Sequence, residues 1–252
     1  RLGVTSNFEK AISLTSGDII FLSDQDDIWQ PDRIETFLNQ WDIGGPTQLM
    51  FSDATLIDAQ GTAFQQTLFK ALKVKKQEFD YAENGKLFDV LIKRNIVTGA
   101  TAAISRSLFD IAVPFPKSWL HDEWLAVIAA AGCQAKLLRN KSIGYRQHDS
   151  NVVGLKRRNL RYWLGYLFAS RTGRFAELNE RNLELQTKLN QLQSEYFEIA
   201  SQKVQFDRER SLYPRIRVMR IPQVLRNLIN GEYARFASNG RPEAIRDLTQ
   251  AS

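Results

Sequence analysis

The sequence predicts an α/β fold in which a mixed sheet is flanked by helices, followed by a helical, basic C-terminal extension. Up to about residue 154, short apolar segments of strand length alternate with amphipathic segments of helix length. Beyond that point the charge changes: residues 1–154 carry a net −2, whereas residues 155–252 carry +8, mostly from arginine. We therefore predict two domains, 1–154 and 155–252, within a chain of 252 residues.

Glycine and proline residues separate the predicted elements of the first domain. Gly17 closes a first helix, Pro31 opens the next, and Gly132 ends a third. The segment 18–23 is apolar on both faces, so we expect an interior strand of the sheet. The predicted helices are 7–15, 31–41, 86–93, 106–111 and 121–131, and the predicted strands are 18–23, 48–52, 55–57, 99–105, 135–138 and 142–146.

The C-terminal extension reads as helical. Residues 175–206 predict one long helix with a short heptad seam, which either docks on a neighbouring helix or forms a homodimer; its members are Leu185, Leu189, Leu192, Tyr196 and Ile199. A basic helix follows over 216–229. Aromatic residues interleave with arginines at 160–171, a composition that suits either a packed core or an anionic membrane surface.

Composition narrows the cellular context. Cys133 is the single cysteine, which excludes an internal disulfide framework and a cysteine-based zinc cluster. Its apolar neighbours predict a buried thiol, and a reducing, cytoplasmic compartment fits best. No apolar run approaches the roughly 20 residues of a transmembrane helix, and we expect a location in the cytoplasm, with peripheral association at the inner membrane face as the alternative.

Three acids follow the strand 18–23 directly. Asp24, Asp26 and Asp27 lie within four residues, so their charges repel unless a cation lies among them. In open α/β sheets ligands bind beyond the carboxyl ends of the strands, and Mg²⁺ commonly combines one or two carboxylates with substrate phosphates. The segment predicts a metal–diphosphate site; the alternative is a solvated turn before the helix that Pro31 starts.

Asp122 is the candidate general base. It opens a predicted helix, where the dipole should hold its carboxylate ionised and able to accept a proton from a hydroxyl. The alternative is plain capping of the helix. Two more segments complete the candidate site. Arg146 could hold a phosphate, His148 could ligate the metal or form a structural hydrogen bond, and the small residues Thr98 and Gly99 would allow close approach of a sugar or of backbone.

Taken in order, these motifs resemble a family 2 glycosyltransferase. The residues that carry the resemblance are Asn-Phe-Glu-Lys-Ala at 7–11, the run from Gly17 to Trp29, His-Asp-Glu-Trp at 121–124 and Arg-Gln-His at 146–148. It covers about residues 1–155 and is nearest to the bacterial rhamnosyltransferase-like branch. The family implies a GT-A fold, a nucleotide-sugar donor, a saccharide or lipid-linked acceptor, and Mg²⁺ or Mn²⁺.

The resemblance also implies roles for individual residues. Asp24-Gln25-Asp26, with Asp27 beside it, matches the family's Asp-x-Asp motif, which binds metal and diphosphate, with His148 as a further metal ligand. Asp122 matches the second acid of the family's Glu-Asp motif, the catalytic base. The first acid is His121 here, and Glu123 is a substitute base that, with Thr98, Gly99 and Trp124, would line the sugar pocket.

The same resemblance sets an expectation about the N-terminus and leaves two other functions open. The family's base-binding first strand has no counterpart here, so we expect an N-terminally truncated piece of a longer protein. The alternatives are a metal-dependent nucleotidyltransferase, which also needs carboxylates and a diphosphate, and a non-catalytic nucleic-acid-binding protein. The chain carries no recognisable nucleic-acid motif, which disfavours the latter.

Overall fold

A computed structural model describes residues 2–42, 44–147 and 171–250. The chain divides into two compact units, one of residues 1–91 and 95–155 and the other of residues 92–94 and 156–252. We call the first the sheet unit and the second the helical unit. His148 and the aromatic segment 160–170 lie outside the described residues.

The described strands of the sheet unit form one mixed sheet in the order β1-β5-β3-β6-β2, with β4 paired to β3. Strands β3 and β6 run parallel, and the other pairs are antiparallel. Central strand β3 is buried along its length because it has partners on both edges and helices nearby. The strands are β1 (Ile19–Phe21), β2 (Ile28–Trp29), β3 (Leu49–Ile57), β4 (Ala63–Thr67), β5 (Ala102–Ser105) and β6 (Ala135–Arg146).

Helices flank this sheet, which confirms the predicted mixed α/β architecture. The apolar helix α7 has eleven residues, nine of them buried, and ends at Gly132 as expected. The helices of this unit are α1 (Val4–Ser13), α2 (Arg33–Gln40), α3 (Leu68–Ala71), α4 (Lys76–Glu83), α5 (Leu87–Leu91), α6 (Arg106–Ala112) and α7 (His121–Ala131).

Several predicted boundaries were wrong. The segments 48–52 and 55–57 are one strand, as are 135–138 and 142–146, because the β3–β6 ladder continues through register shifts near Asp53. The segment 99–105 begins as a 3-10 turn (Gly99–Thr101) and becomes strand only at Ala102. Cys133 is exposed, not buried: it follows α7 in a turn with φ of 54°.

Strand β1 lies at an edge of the sheet, which corrects the prediction of an interior strand. It pairs with β5 from Ile19 to Phe21, and no described strand pairs with its other side. Ile20 is buried, while Ile19 and Phe21 are half-buried. The apolar sequence therefore reflects packing above and below the sheet, because both faces of the strand are covered even though one backbone edge is open.

The helical unit contains two helices where we predicted one. Helices α8 (Arg171–Gln191) and α9 (Phe197–Ser211) pack against each other. The chain reverses at Gln193, whose φ is 51°, and the Ser194 N–H donates to the Leu189 carbonyl. The seam residues Leu185 and Leu189 are buried, so docking within the chain accounts for them. Helices α10 (Ile221–Ile229), α11 (Glu232–Phe236) and α12 (Glu243–Thr249) complete the unit.

Candidate active site

The acids 24–27 form a loop, here called the acid loop, at the carboxyl end of β1. The loop begins after Leu22, whose N–H donates to the Ala102 carbonyl, and ends at β2. Asp24, Asp26 and Asp27 are all half-buried. The predicted position beyond a strand end is therefore where the structure places them.

Arg146, at the end of β6, holds the acid loop in place. Its N–H donates to Asp27 Oδ1 and its Nε to the Asp26 carbonyl, each at 2.8 Å. Its Nη1 donates to the carbonyls of Asp58 and Ala59, also at 2.8 Å. These contacts make Arg146 a scaffold of the site, and its predicted contact with phosphate stays a prediction.

Like charges and burial shift the acids toward their protonated forms. Burial raises the pKa of Asp24, and the nearby carboxylates of Asp26 and Asp122 raise it further. Burial also raises the pKa of Asp27 to about 6, although the hydrogen bond from the Arg146 N–H lowers it in part. Asp27 Oδ2 is buried without a hydrogen-bond partner. A carboxylate oxygen in that state is a natural ligand for a hard divalent cation.

Asp122 lies in the first turn of α7 and faces the 3-10 turn of Gly99–Thr101. Its Oδ2 accepts the Gly99 N–H at 2.9 Å, and its Oδ1 accepts the Glu123 N–H at 2.8 Å. Burial nevertheless raises the pKa of Asp122 above its usual value. We expected the helix dipole to hold this acid ionised, but desolvation outweighs these N–H groups, which tunes the carboxylate toward a base.

Tyr145 shows that the two acidic segments converge. Burial raises the pKa of the Tyr145 hydroxyl, and the charges of Asp24, Asp27, Asp122 and Asp26 raise it further. All four carboxylates therefore act on one phenol. The structure brings together the acid loop and Asp122, which are about 100 residues apart in the chain. Such a convergence of perturbed acids marks a functional-site candidate.

The structure leaves no room for a larger residue at Gly99, because His121 and Asp122 lie very close to it. A Cβ at Gly99 would lie 2.9 Å from His121 Nε2 and 3.2 Å from Asp122 Cβ. A side chain at this position would push against His121 and crowd the candidate base, so close packing explains this glycine directly. Thr98 precedes it and is buried, with its carbonyl accepting from Thr101.

His121 and Trp124 are buried on the inner side of α7. The His121 ring stacks on Phe8 at 3.5 Å, both its nitrogens lack hydrogen-bond partners, and burial lowers its pKa to about 4. Trp124 is buried and its Nε1 donates to the Ala112 carbonyl. This placement favours packing over the predicted sugar contact for Trp124. Glu123 is half-buried next to Asp122, as its predicted role requires.

Arg33 is a site residue that sequence reasoning missed. It is 1% exposed, and its Nη2 donates to the Ala100 carbonyl at 2.8 Å and to the Leu22 carbonyl at 3.4 Å. Its guanidinium lies 4.1 Å from the Trp29 ring centroid. Burial lowers its pKa to about 10, and Asp27 partly restores it. Arg33 thus ties the start of the acid loop to the turn that contacts Asp122.

The missed signal lies in the orientation of α2. In this helix the apolar side chains of Ile34 and Leu38 are exposed. Arg33 and Phe37 are buried instead, one turn apart. The sequence did contain a signal for this role: an arginine lies one helical turn from a core phenylalanine and close to an acidic loop.

Among the described residues, no group of three or more histidine, cysteine, aspartate or glutamate side chains is arranged to hold a metal ion. The predicted ligand His148 lies outside that part of the chain. The chemistry of the acid loop still fits a divalent cation, because its carboxylates are crowded and one buried Asp27 oxygen lacks a partner.

Residues 1–110 match the family model described as Glycosyl transferase family 2. No curated protein matches the chain. The matched region contains the acid loop, Thr98 and Gly99, whereas Asp122, Arg146 and His148 lie beyond it. The mixed sheet and its flanking helices are consistent with a GT-A type fold. The match and the fold together support a family 2 glycosyltransferase domain and, in general terms, glycosyltransferase activity.

Proposed function

We propose that this chain is the catalytic part of an inverting, metal-dependent glycosyltransferase. It transfers a sugar, with rhamnose as the candidate, from a nucleotide-sugar donor to a hydroxyl of a cell-surface polysaccharide or lipid-linked acceptor. The observation that carries the proposal is the convergence of the acid loop and Asp122 on Tyr145, inside a fold whose first 110 residues match the family. The rhamnose assignment depends on the sequence resemblance alone.

The acid loop would bind the donor. Asp24 and Asp26, with His148, would hold Mg²⁺ or Mn²⁺, and the bound ion would supply positive charge to the departing diphosphate. Arg146 keeps the loop in position through its contacts with Asp26 and Asp27. A fixed loop limits the reorganisation needed when charge develops on the leaving group.

Asp122 would take the proton from the acceptor hydroxyl as that oxygen attacks the anomeric carbon. Its two hydrogen bonds fix the carboxylate but leave further lone pairs for the substrate. Its raised pKa increases its basicity, as general-base catalysis near neutral pH requires. Attack from the face opposite the diphosphate inverts the configuration at the anomeric carbon.

We also propose that the functional protein has a further strand beside β1. The family resemblance implies a base-binding strand in the N-terminal part, and the outer edge of β1 is unpaired among the described residues. A paired edge there would shield the backbone N–H and carbonyl groups of β1.

The proposed location is the cytoplasm, with peripheral contact at the inner membrane face, where lipid-linked acceptors would be reached. No helix in the described part of the chain is both long and apolar enough to cross a membrane. The proposed membrane contact uses a surface of the protein. The excess of positive charge in residues 155–252 supports that idea.

Calorimetry with Mn²⁺ and a panel of nucleoside diphosphates tests the donor site. Asp26→Ala should abolish metal-dependent binding, whereas the control Asp32→Ala removes the same charge from an exposed position outside the acid loop and should bind normally. Unchanged affinity in Asp26→Ala would rule out its metal role. Hydrolysis of a nucleotide-sugar, instead of pyrophosphate release from a nucleoside triphosphate, separates the proposal from a nucleotidyltransferase.

A nucleic-acid-binding function is distinguished by specificity. Any basic protein loses DNA affinity steeply with salt, so such a loss carries no weight. Only sequence-specific binding or affinity at the submicromolar level would favour that alternative.

A further inference from the structure

The helical unit exposes a group of large apolar side chains in one short segment. Between Leu212 and Ile229, six of them are at least half exposed, reaching 84% at Ile229. We call this segment the apolar patch; its exposed members are Leu212, Ile216, Val218, Met219, Leu225 and Ile229. Single exposed apolar residues are ordinary, but a concentrated group marks a surface that binds something.

The backbone fixes these side chains outward. In α10, Ile221, Leu225 and Ile229 recur every four residues and therefore share one face. The opposite side is anchored, because Val224 and Asn227 are buried and Asn227 Nδ2 donates to the Tyr213 hydroxyl at 3.0 Å. Rotation of the helix to hide its apolar face would break that buried bond, so the exposure is built into the packing.

The segment of the apolar patch is basic in sequence, and Glu209 and Glu232 adjoin it at Arg226. From Arg210 to Gly231 the sequence has five arginines and no aspartate or glutamate. Arg215, Arg217 and Arg226 are exposed within the patch. Arg226 also contacts Glu209, an acid just outside this stretch, at 2.6 Å. The partner must therefore accept apolar side chains and offer anions beside them.

We propose that the apolar patch docks on an anionic lipid bilayer. Leu225 and Ile229 would enter the boundary between headgroups and acyl chains, while Arg215 and Arg217 contact anionic headgroups. A bilayer offers both chemistries side by side over a broad area. A symmetric pair of chains is disfavoured, because an isologous contact would bring the same arginines face to face. The inference deepens the proposed membrane location of the glycosyltransferase, on which it rests.

Vesicle co-sedimentation of the full chain tests the proposal without any sugar donor. We expect binding at low salt to phosphatidylcholine vesicles containing phosphatidylglycerol, and none to phosphatidylcholine alone. Leu225→Gln with Ile229→Gln should weaken binding by about 10-fold or more. Arg215→Gln with Arg217→Gln should weaken it by roughly 5-fold per arginine.

A matched control lies in the same unit. Leu183 and Leu192 are also exposed apolar residues, but they lie outside the patch, so Leu183→Gln with Leu192→Gln should bind vesicles normally. Circular dichroism checks that each variant keeps its helical content.

Several results would overturn the proposal. One is that the full chain fails to bind anionic vesicles. Another is that the Leu225/Ile229 variant binds them as well as the wild type does. A wild-type dimer that this variant converts to a monomer would assign the patch to self-association. Calorimetric donor binding is measured separately, so a failed membrane test and a failed glycosyltransferase assignment give different results.

Discussion

The two units handle clustered charges in opposite ways. In the helical unit, Asp207 and Asp247 are fully buried, but Arg210 bridges them with hydrogen bonds of 2.6–3.0 Å, and Lys203 contacts Asp207 at 2.7 Å. Burial alone would raise the pKa of Asp207, yet Lys203 and Arg210 lower it below its usual value. In the sheet unit, Asp24 and Asp27 are less buried, and their pKa values are nevertheless raised.

This difference distinguishes the charged groups that stabilise the helical unit from the acids that we propose bind a ligand in the sheet unit. Buried charges that are matched with opposite charges hold one conformation, and the chain itself satisfies them. At Asp27 burial outweighs the opposite charge of Arg33, and the buried Oδ2 has no hydrogen-bond partner. This contrast is why we propose the acid loop, and not the more deeply buried acids of the helical unit, as the site for an external cation and substrate.

Breaking the matched network should have the largest effect. Asp247→Asn removes the charge that Arg210 and the Tyr233 hydroxyl contact, leaving Asp207 as the one carboxylate hydrogen-bonded to the buried guanidinium. We expect the helical unit to lose about 3–5 kcal/mol of stability. Hydrogen exchange of the α9 amides measures this, because it reports opening of that unit alone.

The matching control for that variant is Glu198→Gln. Glu198 is exposed on the same helix, so we expect a change below about 0.5 kcal/mol. Equal protection in wild type and Asp247→Asn would show that the buried network contributes little.

Acidification should instead affect the sheet unit through His121. The unfolded state protonates this histidine near its ordinary pKa of 6.5, whereas burial holds the folded pKa at about 4. The folded state therefore binds fewer protons in this window, and the His121 contribution is present above 6.5 and is lost as pH falls toward 4. The loss is at most about 3 kcal/mol.

Urea unfolding followed by tryptophan fluorescence, in wild type and His121→Leu from pH 7 to 4, measures this contribution. Asp27 acts in the opposite direction, since its pKa is raised to about 6 and the folded state takes up its proton first. The Asp27 contribution is the same in wild type and His121→Leu, so the difference between their unfolding free energies isolates the contribution of His121. Parallel pH profiles would contradict the prediction.

Removing the candidate base tests whether Asp122 carries the proposed chemistry. Asp122→Asn keeps the shape but removes the proton acceptor, so turnover should fall by about 10²-fold or more with nucleotide-sugar binding nearly unchanged. Steady-state kinetics and calorimetry on the full chain measure the two quantities. Glu123→Gln is the control, and near-normal turnover in Asp122→Asn would move the role to Glu123.

The smallest predicted effect concerns Arg33, which fixes the site without entering it. Arg33→Met removes the bonds to the Leu22 and Ala100 carbonyls but keeps a long side chain among Phe21, Trp29 and Phe37. We expect metal-dependent nucleoside diphosphate binding to weaken about 10-fold, the size of one hydrogen bond from a charged group. Calorimetry measures it.

Arg106→Met provides the comparison for Arg33. Arg106 donates to the carbonyls of Ile12, Thr15 and Gly17, before β1 and away from the acid loop. Its loss should leave binding nearly unchanged. Equal weakening in both variants would indicate general loosening of the sheet unit.

Local patterns predicted part of this molecule well. The acid loop and the start of α7 were predictable because one short segment contains both the strand or helix boundary and the acids. The edge position of β1 was not, since pairing depends on segments far away in the chain. Arg33 was missed for a similar reason: its carbonyl partners at Leu22 and Ala100 are 11 and 67 residues away.

The reversal of the chain at Gln193 also could not be predicted from the sequence. Residues 175–206 have a continuous helical pattern, and only the left-handed backbone at one glutamine breaks it. Glutamine carries no turn signal of its own, unlike glycine or asparagine. The predicted roles of Asp24, Asp26, Asp122 and His148 remain predictions until the variants above are measured.

The central β3–β6 ladder has a consequence for how the chain folds. It joins Leu49 to Ala135, so closing the parallel pair brings together residues that are 86 positions apart, whereas α8 and α9 are joined by a short turn. Closing a long loop costs chain entropy before any contact repays it, so structures with local contacts form sooner. The hairpin of α8 and α9 should therefore form early. The part of the sheet unit that brings the acid loop and Asp122 together should be the last part of the protein to assemble.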